Sequence, residues 1–256
     1  MSHRSFVAKL IVIGLTLLAT SDGRRAAGQS TPAKQLDERI AELHEAVRLR
    51  PQSDKAHHDL GNALLTKDAL DDAVASFREA LRLNPTNASA FDGLGVALLR
   101  QGKLVQAEAC YRQAIRLDPR SARAHTNLGL TLIVQGKRAE AVTCYRKAIE
   151  LDPRNVPALF NLGNALPGNE AMACYRKVIE LDPKYAEAHH RLGRTLRDVG
   201  KLDEAIACYR KAIALDPKSA AVLRSLGDAL KGIGRVAEAD EAYRRARELE
   251  RPDGRK

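Results

Sequence analysis

The chain has 256 residues, of which 45% are hydrophobic but only 4% are aromatic, and none is tryptophan. This composition argues against a compact globule around one large core and favours a long array of alanine-rich helices. The formal net charge is +10 at pH 7, a real but modest excess of basic residues. Nucleic acid is not favoured as a partner, because so few aromatic residues provide no platform for stacked bases.

Residues 1–28 have the features of a secretory signal peptide. Arg4 and Lys9 give a basic start, residues 10–19 form an apolar run, and residues 26–28 are small, as at a cleavage site. A membrane-spanning helix needs about 20 apolar residues, so the run predicts export with cleavage near Gly28. We therefore expect a periplasmic or secreted protein. The alternative is a chain anchored in the membrane by this segment, uncleaved.

A polar linker is predicted at residues 29–34, followed by an N-terminal cap helix within residues 35–53. Apolar residues recur every three or four positions up to Arg50, as on one face of a helix. Pro51 then ends the helix. Nothing upstream supplies a partner helix, so we interpret this segment as a cap that covers the following structure.

The rest of the chain is one sequence unit repeated six times. Each copy has Leu-Gly in a first apolar-periodic segment, an alanine followed four residues later by an aromatic residue in a second, and a proline near its end. Each is predicted to be two antiparallel helices, because the proline stops the second helix. The copies span residues 54–87, 88–121, 122–155, 156–185, 186–219 and 220–253.

Two kinds of glycine recur in the copies. Gly136 and its equivalents Gly102, Gly200 and Gly234 lie where the first helix must end in a left-handed residue. Gly129 and its equivalents instead lie within the first helix, where glycine costs about 1 kcal/mol relative to alanine. We expect the missing side chain to let the first helix approach the aromatic residue of the second.

The fourth copy is shorter than the others. Gly163 and Ala171 are 8 residues apart, where the other copies have 12. Residues 166–169 therefore replace the last turn of the first helix and its loop. Four residues of helix span about 6 Å, so a notch or a change of curvature is predicted at this copy.

This pattern resembles the tetratricopeptide repeat (TPR) family, whose 34-residue unit has Leu-Gly in helix A, alanine and an aromatic residue in helix B, and a closing proline. The resemblance covers residues 54–251. It implies an all-α fold, a right-handed α-solenoid of helix-turn-helix repeats with a leading cap helix, and a concave face formed mainly by A helices. The sequence contains no recognisable set of nucleophile, base and oxyanion-binding group. We therefore expect that the protein is not an enzyme and binds no cofactor.

The four cysteines each precede a helix B tyrosine in consecutive copies: Cys110, Cys144, Cys174 and Cys208. Equivalent positions on stacked helices lie about 8–10 Å apart, whereas disulfide Cα pairs need less than about 7 Å. Half-buried thiols are therefore favoured over disulfides, a metal site or a redox role.

Histidine pairs raise a metal-site hypothesis, which the register of the copies argues against. His57, His125 and His189 occupy the position that holds phenylalanine or leucine in the other copies. They are interpreted as packing residues, and no metal site is expected.

An arginine follows each helix B aromatic residue, at Arg78, Arg112, Arg146, Arg176, Arg210 and Arg244. The favoured interpretation is a solvated outer face with weak ion pairs along the helix. The alternative is contact with anionic lipid, polysaccharide or nucleic acid.

The A-helix positions that line the groove in this family are the predicted binding site. In the middle copies they are apolar or amide residues, namely Val96, Leu99, Asn127, Leu130, Ile133, Phe160, Asn161 and Asn164. In the last two copies they are basic, namely Arg191, Arg194, Arg197, Arg224 and Lys231. Asn127 and Asn161 match the register at which some relatives, including the O-linked N-acetylglucosamine transferases, hold extended peptide backbone, since asparagine both donates and accepts hydrogen bonds.

These features favour an exported, non-enzymatic scaffold that binds a segment of a partner protein in its groove. The apolar centre would supply affinity, and the basic end would select acidic residues or a terminal carboxylate. The alternative is a subunit that recruits substrate or assists assembly for a separate enzyme, such as a glycosyltransferase or an envelope-polysaccharide machine. No small-molecule cofactor is expected, and membrane contact is expected only through an uncleaved N-terminal segment.

Overall fold

The computed structural model describes residues 31–251, so the predicted signal peptide lies outside the described residues. This described part contains thirteen α-helices and no β-strand, which confirms the predicted all-α class. Within it, no helix has both the length and the apolar content needed to cross a bilayer. The helices are α1 (Pro32–Leu49), α2 (Asp54–Thr66), α3 (Leu70–Leu83), α4 (Ala88–Arg100), α5 (Leu104–Leu117), α6 (Ala122–Val134), α7 (Arg138–Leu151), α8 (Val156–Ala165), α9 (Gly168–Leu181), α10 (Ala186–Asp198), α11 (Leu202–Leu215), α12 (Ala220–Gly232) and α13 (Val236–Glu250).

The described helices form two compact units, which are divided between Leu151 and Asp152. In the first unit α2 packs on α3, α4 on α5 and α6 on α7, so each A helix pairs with the B helix that follows it. The second unit repeats this arrangement with α8 on α9, α10 on α11 and α12 on α13. Within each unit, B helices also contact the A helix of the next copy, and α1 packs on α2.

Helix α1 begins at Pro32, three residues earlier than the sequence analysis predicts. The Thr31 hydroxyl accepts a hydrogen bond from the Lys34 backbone N–H at 3.3 Å, and Pro32 occupies the first turn. A threonine cap followed by proline is a favourable helix start, so part of the predicted linker is helical. Ile40 and Leu43 are the buried residues of this helix.

The turns between A and B helices have the predicted left-handed residues. Gly102, Gly136, Gly200 and Gly234 have φ between 76° and 80°, and in the first copy Asp68 adopts φ of 67°. A left-handed residue at this place closes the helix end without strain when it is glycine. The prediction is confirmed for all four glycines.

The glycine within each A helix lies against the aromatic ring of its B helix. A Cβ atom added at Gly129 would lie 2.6 Å from Cε1 of Tyr145, which has no exposed surface. The five equivalent glycines would place a Cβ atom 2.6–2.8 Å from the corresponding ring. The expected close approach of the two helices is therefore confirmed.

The fourth copy differs at the end of its A helix. Helix α8 has 10 residues, whereas the A helices on either side, α6 and α10, have 13. Leu166 and Pro167 are extended, with ψ of 156° and 162°, and α9 begins at Gly168. Proline disfavours helical angles in the residue before it, so Leu166-Pro167 ends α8 early and opens the space described below.

Candidate functional site

In the first unit, the predicted site residue Asn127 is tied to a buried carboxylate. Its Nδ2 donates to Oδ1 of Asp92 at 3.0 Å, and Nε of Arg123 lies 2.8 Å from Oδ2 of the same residue. Asp92 is 4% exposed, whereas the Arg123 side chain is 67% exposed, so this network joins α4 to α6 between the buried core and the surface. The side-chain Nδ2 of Asn127 is thus already hydrogen-bonded within the chain. The side-chain Oδ1 remains as the acceptor for a ligand.

Sequence reasoning missed Asp92. It falls at the helix position that holds His58, Thr126, Phe160, His190 or Arg224 in the other copies, and none of those is acidic. A single carboxylate at a position that is never acidic elsewhere was the available indication. Buried charges in proteins are normally paired, and its partners come from the adjacent copy.

Asp92→Asn is expected to leave the free energy of unfolding unchanged or raise it by about 1 kcal/mol at pH 7, because a buried charge is lost. Burial raises the pKa of Asp92, although Arg123 and Asn127 oppose this. The folded chain therefore holds a proton on Asp92 above pH about 3.9, where the unfolded chain releases it. Wild-type stability then falls relative to the variant as pH rises from about 3.9 through the raised pKa of Asp92 in the folded chain.

Urea unfolding of both proteins at several pH values measures this difference. Asp72→Asn, at an exposed position, controls for the loss of one negative charge. A variant less stable than the wild type at pH 7 would show that the Arg123 ion pair outweighs the cost of burial.

Two predicted site residues lie in the core. Leu99 is 4% exposed and Phe160 is 2% exposed. The Phe160 ring packs against Tyr185 and Tyr175, with centroids 5.1 Å and 5.9 Å apart. A partner cannot reach these side chains, so their expected role in the groove is corrected to one in packing. Val96, Leu130 and Ile133 are half-buried and remain partly accessible.

Most of the predicted basic residues are already paired. Arg191 donates to Glu187 at 2.7 Å, Arg197 to Asp198 at 3.1 Å, and Arg224 to Glu250 at 2.9 Å. Arg194 is exposed, and within residues 31–251 it forms no ion pair. Lys231 is also exposed and unpaired among these residues, so Arg194 and Lys231 are the cations of the predicted basic positions that are available to a ligand.

A cleft of about 340 Å³ lies beside Arg194 in the second unit. It is bounded by the turn between α8 and α9 on one side and by the C-terminal half of α10 on the other. Its lining includes Asn164, Leu166, Pro167, Tyr175, Arg191, Arg194, Thr195, Asp198 and Val199. The predicted notch is thus present, and it brings together Asn164, Arg191 and Arg194 of the predicted site.

The residue after each A-helix glycine determines whether the B-helix tyrosine has a hydrogen-bond partner. The Tyr175 hydroxyl donates to Oδ1 of Asn164 at 2.8 Å, and that of Tyr243 to Asp228 at 2.8 Å. The equivalent residue is Val96, Leu130 or Arg194 in three other copies. In those copies the buried hydroxyls lack a partner among the described residues, namely Tyr111, Tyr145 and Tyr209.

Sequence profiles of three families cover most of the repeated region. One described as TPR repeat matches residues 66–102 and 193–234, and two described as tetratricopeptide repeat match residues 93–155 and residues 144–170 and 174–207. The chain belongs to the tetratricopeptide repeat family. No curated protein sequence matches the chain.

Solved TPR structures resemble this chain in fold. The TPR protein YrrB, described as having an unusual peptide-binding site, is 23% identical, with 72% of this chain and 97% of YrrB covered and a TM-score of 0.58. Pseudomonas aeruginosa pilF is 22% identical, with 80% and 95% covered and a TM-score of 0.70. The Cut9-Hcn1 hetero-tetramer of APC/C supplies a chain that is 16% identical, with 98% of this TPR protein and 46% of that chain covered and a TM-score of 0.70. These likenesses establish the fold alone.

The histidines at the fourth position of three TPR A helices have a packing role. Nε2 of His57, His125 and His189 lies 3.0, 3.3 and 3.1 Å from the backbone carbonyl of Pro51, Pro119 and Pro183, respectively. Each histidine thereby ties its helix to the proline that closes the previous copy. No group of three potential metal ligands occurs between residues 31 and 251.

The four cysteines are half-buried, as predicted. Burial raises the pKa of Cys110 to about 11, and it also raises the pKa of Cys144 and Cys208. A thiol with a raised pKa carries little thiolate at neutral pH, so it is a poor nucleophile.

The B-helix arginines form ion pairs between consecutive TPR repeats. Arg112 donates to Glu140 at 3.1 Å, and Arg210 donates to Glu238 at 3.1 Å. Arg176 lies 3.7 Å from Glu204. These exposed pairs fit the interpretation as a solvated face and reduce the charge available to an anionic surface.

Proposed function

We propose that this TPR protein is an exported, non-enzymatic scaffold that binds a segment of a partner protein along its A helices. Membership of the TPR family supports protein–protein interaction as its general role. The likeness to YrrB, described as having an unusual peptide-binding site, supports a peptide segment as the ligand. Export is supported by the sequence of residues 1–28.

The exposed A-helix face of the second unit carries this proposal. Asn161 is half-buried, and Asn164 and Arg194 are exposed, so these three polar side chains are accessible from solvent. The B-helix arginines Arg176 and Arg210 are instead paired within the chain. Amide and guanidinium groups bind peptide backbone and carboxylates, respectively.

Site-specific photo-crosslinking tests the proposal in the native host. Benzoylphenylalanine placed at Asn161 should crosslink one recurrent partner segment, which mass spectrometry identifies. The same amino acid at Arg210, on the B helix α11, is the matched control and should not capture that segment. A synthetic peptide of the segment should then compete with the crosslink at Asn161. Capture of the same partner from Arg210 and not from Asn161 would place the binding face elsewhere.

Export and the alternative function are tested in the same cells. Intact mass measurement of the purified protein should show removal of about the first 28 residues, and a full-length mass would favour the anchored form. If the captured segment belongs to an enzyme or to its substrate, the protein is an assembly or recruiting subunit. Any other partner favours a general scaffold.

A further inference from the structure

The cleft in the second unit exists because the fourth repeat is short. Helix α8 ends at Ala165 after 10 residues, and the extended pair Leu166-Pro167 crosses the space that a further helical turn fills elsewhere. The opening of about 340 Å³ is at the lower end of the range of protein ligand sites. It can hold one or two residues of a peptide, and it cannot hold a folded element.

Arg194 is the free cation of this cleft. Arg191, also in the lining, pairs with Glu187. Asp198, the acidic residue of the lining, pairs with Arg197. Arg194 forms no ion pair with any residue from 31 to 251, so its guanidinium can bind an anion without breaking an internal contact.

Asn164 presents a second donor beside Arg194. Its Oδ1 accepts a hydrogen bond from the Tyr175 hydroxyl at 2.8 Å. Burial raises the pKa of Tyr175 to about 12, so the hydroxyl keeps its proton and remains a donor at neutral pH. The amide orientation is thereby fixed, and Nδ2, which has no hydrogen-bond partner among residues 31–251, is left as a donor.

The other walls of the cleft are apolar. Leu166 and Pro167 form one side, and Val199, 46% exposed, forms part of the other. Apolar surface of this kind gains from contact with an apolar side chain. The occupant should therefore carry an anionic group and an apolar group next to each other.

We propose that the cleft binds an Asp or Glu side chain of the partner segment, with an apolar residue beside it. Arg194 and the Nδ2 group of Asn164 bind the carboxylate, and Leu166, Pro167 and Val199 contact the apolar residue. One free guanidinium and one amide match the single charge and two oxygens of a carboxylate. This inference rests on the proposed function, in which the segment continues along the A helices, so the carboxylate is a side chain within the segment.

Peptide binding to the full chain tests the inference. The probe is a library of fluorescent twelve-residue peptides, acetylated and amidated, whose central residue is Glu or Gln and is flanked by leucine. Wild type should bind Glu members at least tenfold more tightly than the matching Gln members. Arg194→Glu should abolish this preference, and Arg210→Glu, an equal charge change on a B helix, should keep it.

A second variant removes the cleft and keeps its donors. Pro167 and Gly168 are replaced by the six residues at 133–138 of the third repeat, Ile-Val-Gln-Gly-Lys-Arg. This change restores the usual repeat length, so circular dichroism and the melting temperature should show a folded protein. The Glu preference should disappear, although Asn164 and Arg194 are still present.

Two outcomes would overturn the inference. Either the Glu preference survives Arg194→Glu or the filled cleft, or no library member binds the wild type with a Glu preference. Peptides that bind wild type and both variants equally would also exclude the cleft while leaving the scaffold function intact. The scaffold function fails separately, if Asn161 crosslinks no partner.

Discussion

Gly129→Leu is expected to destabilise the protein by about 3 kcal/mol, the upper part of the range for overpacked cores. A Cβ atom at this position would lie 2.6 Å from Tyr145, whose ring is completely buried. The ring has no free volume to move into, so either α6 or α7 must shift. For a chain of this size the loss corresponds to roughly 6–12 °C in the melting temperature, measured by circular dichroism or calorimetry.

Two further substitutions separate the clash from other effects. Ala109→Leu adds the same side chain at an exposed position of α5 and should leave the melting temperature nearly unchanged. Gly129→Ala improves helix propensity by about 1 kcal/mol but introduces the clashing Cβ atom. Its net effect should still be destabilising. An unchanged melting curve for Gly129→Leu would contradict the close packing of A and B helices.

The helices could be predicted from the sequence because the same local pattern recurs in every copy. Gly129 and Tyr145 recur at equivalent positions, and the chemistry of one copy predicts that of the others. The left-handed turn at Gly136 follows from glycine's freedom at positive φ. The start of α1 was missed since Thr31 and Pro32 lie outside the repeated unit, although they are a recognised helix start.

The candidate site was less predictable because its contacts join different copies. Asp92 binds Arg123 and Asn127 from the next copy, and the pattern within one copy does not encode these contacts. Phe160 was expected in the groove, but it packs against Tyr185, the last residue of the same copy, which precedes α10 and varies between copies. The burial of a groove position thus depends on residues that vary between copies.

Charge was the least reliable indication in the sequence. The basic residues of the last two copies suggested a broad acidic-ligand surface, yet Arg191, Arg197 and Arg224 each have an internal carboxylate partner. Glu187 lies one turn from Arg191, while Glu250 lies on the adjacent B helix. A count of basic residues does not distinguish the three paired arginines from the unpaired Arg194. The proposed recognition of an acidic residue therefore depends on Arg194 and the cleft beside it.

Tyr111→Phe and Tyr175→Phe are expected to change stability in opposite directions. The Tyr111 hydroxyl is buried and has no hydrogen-bond partner within residues 31–251, and a buried unsatisfied group costs about 1–3 kcal/mol. Its removal should raise the free energy of unfolding by about 1–2 kcal/mol. The Tyr175 hydroxyl bonds to Asn164, so its removal should cost about 1 kcal/mol. Urea unfolding curves for the two variants measure both values.

Val96→Asn provides the control for this explanation. Asparagine at that position reproduces the arrangement of Asn164 with Tyr175, so it should satisfy the Tyr111 hydroxyl and stabilise the protein. The same substitution in Tyr111→Phe has no hydroxyl to bind and should bring no gain. If Tyr111→Phe proves as destabilising as Tyr175→Phe, the Tyr111 hydroxyl has a partner, such as a bound water molecule. In that case, the residue after the A-helix glycine would not determine how much the tyrosine hydroxyl contributes to the free energy of unfolding.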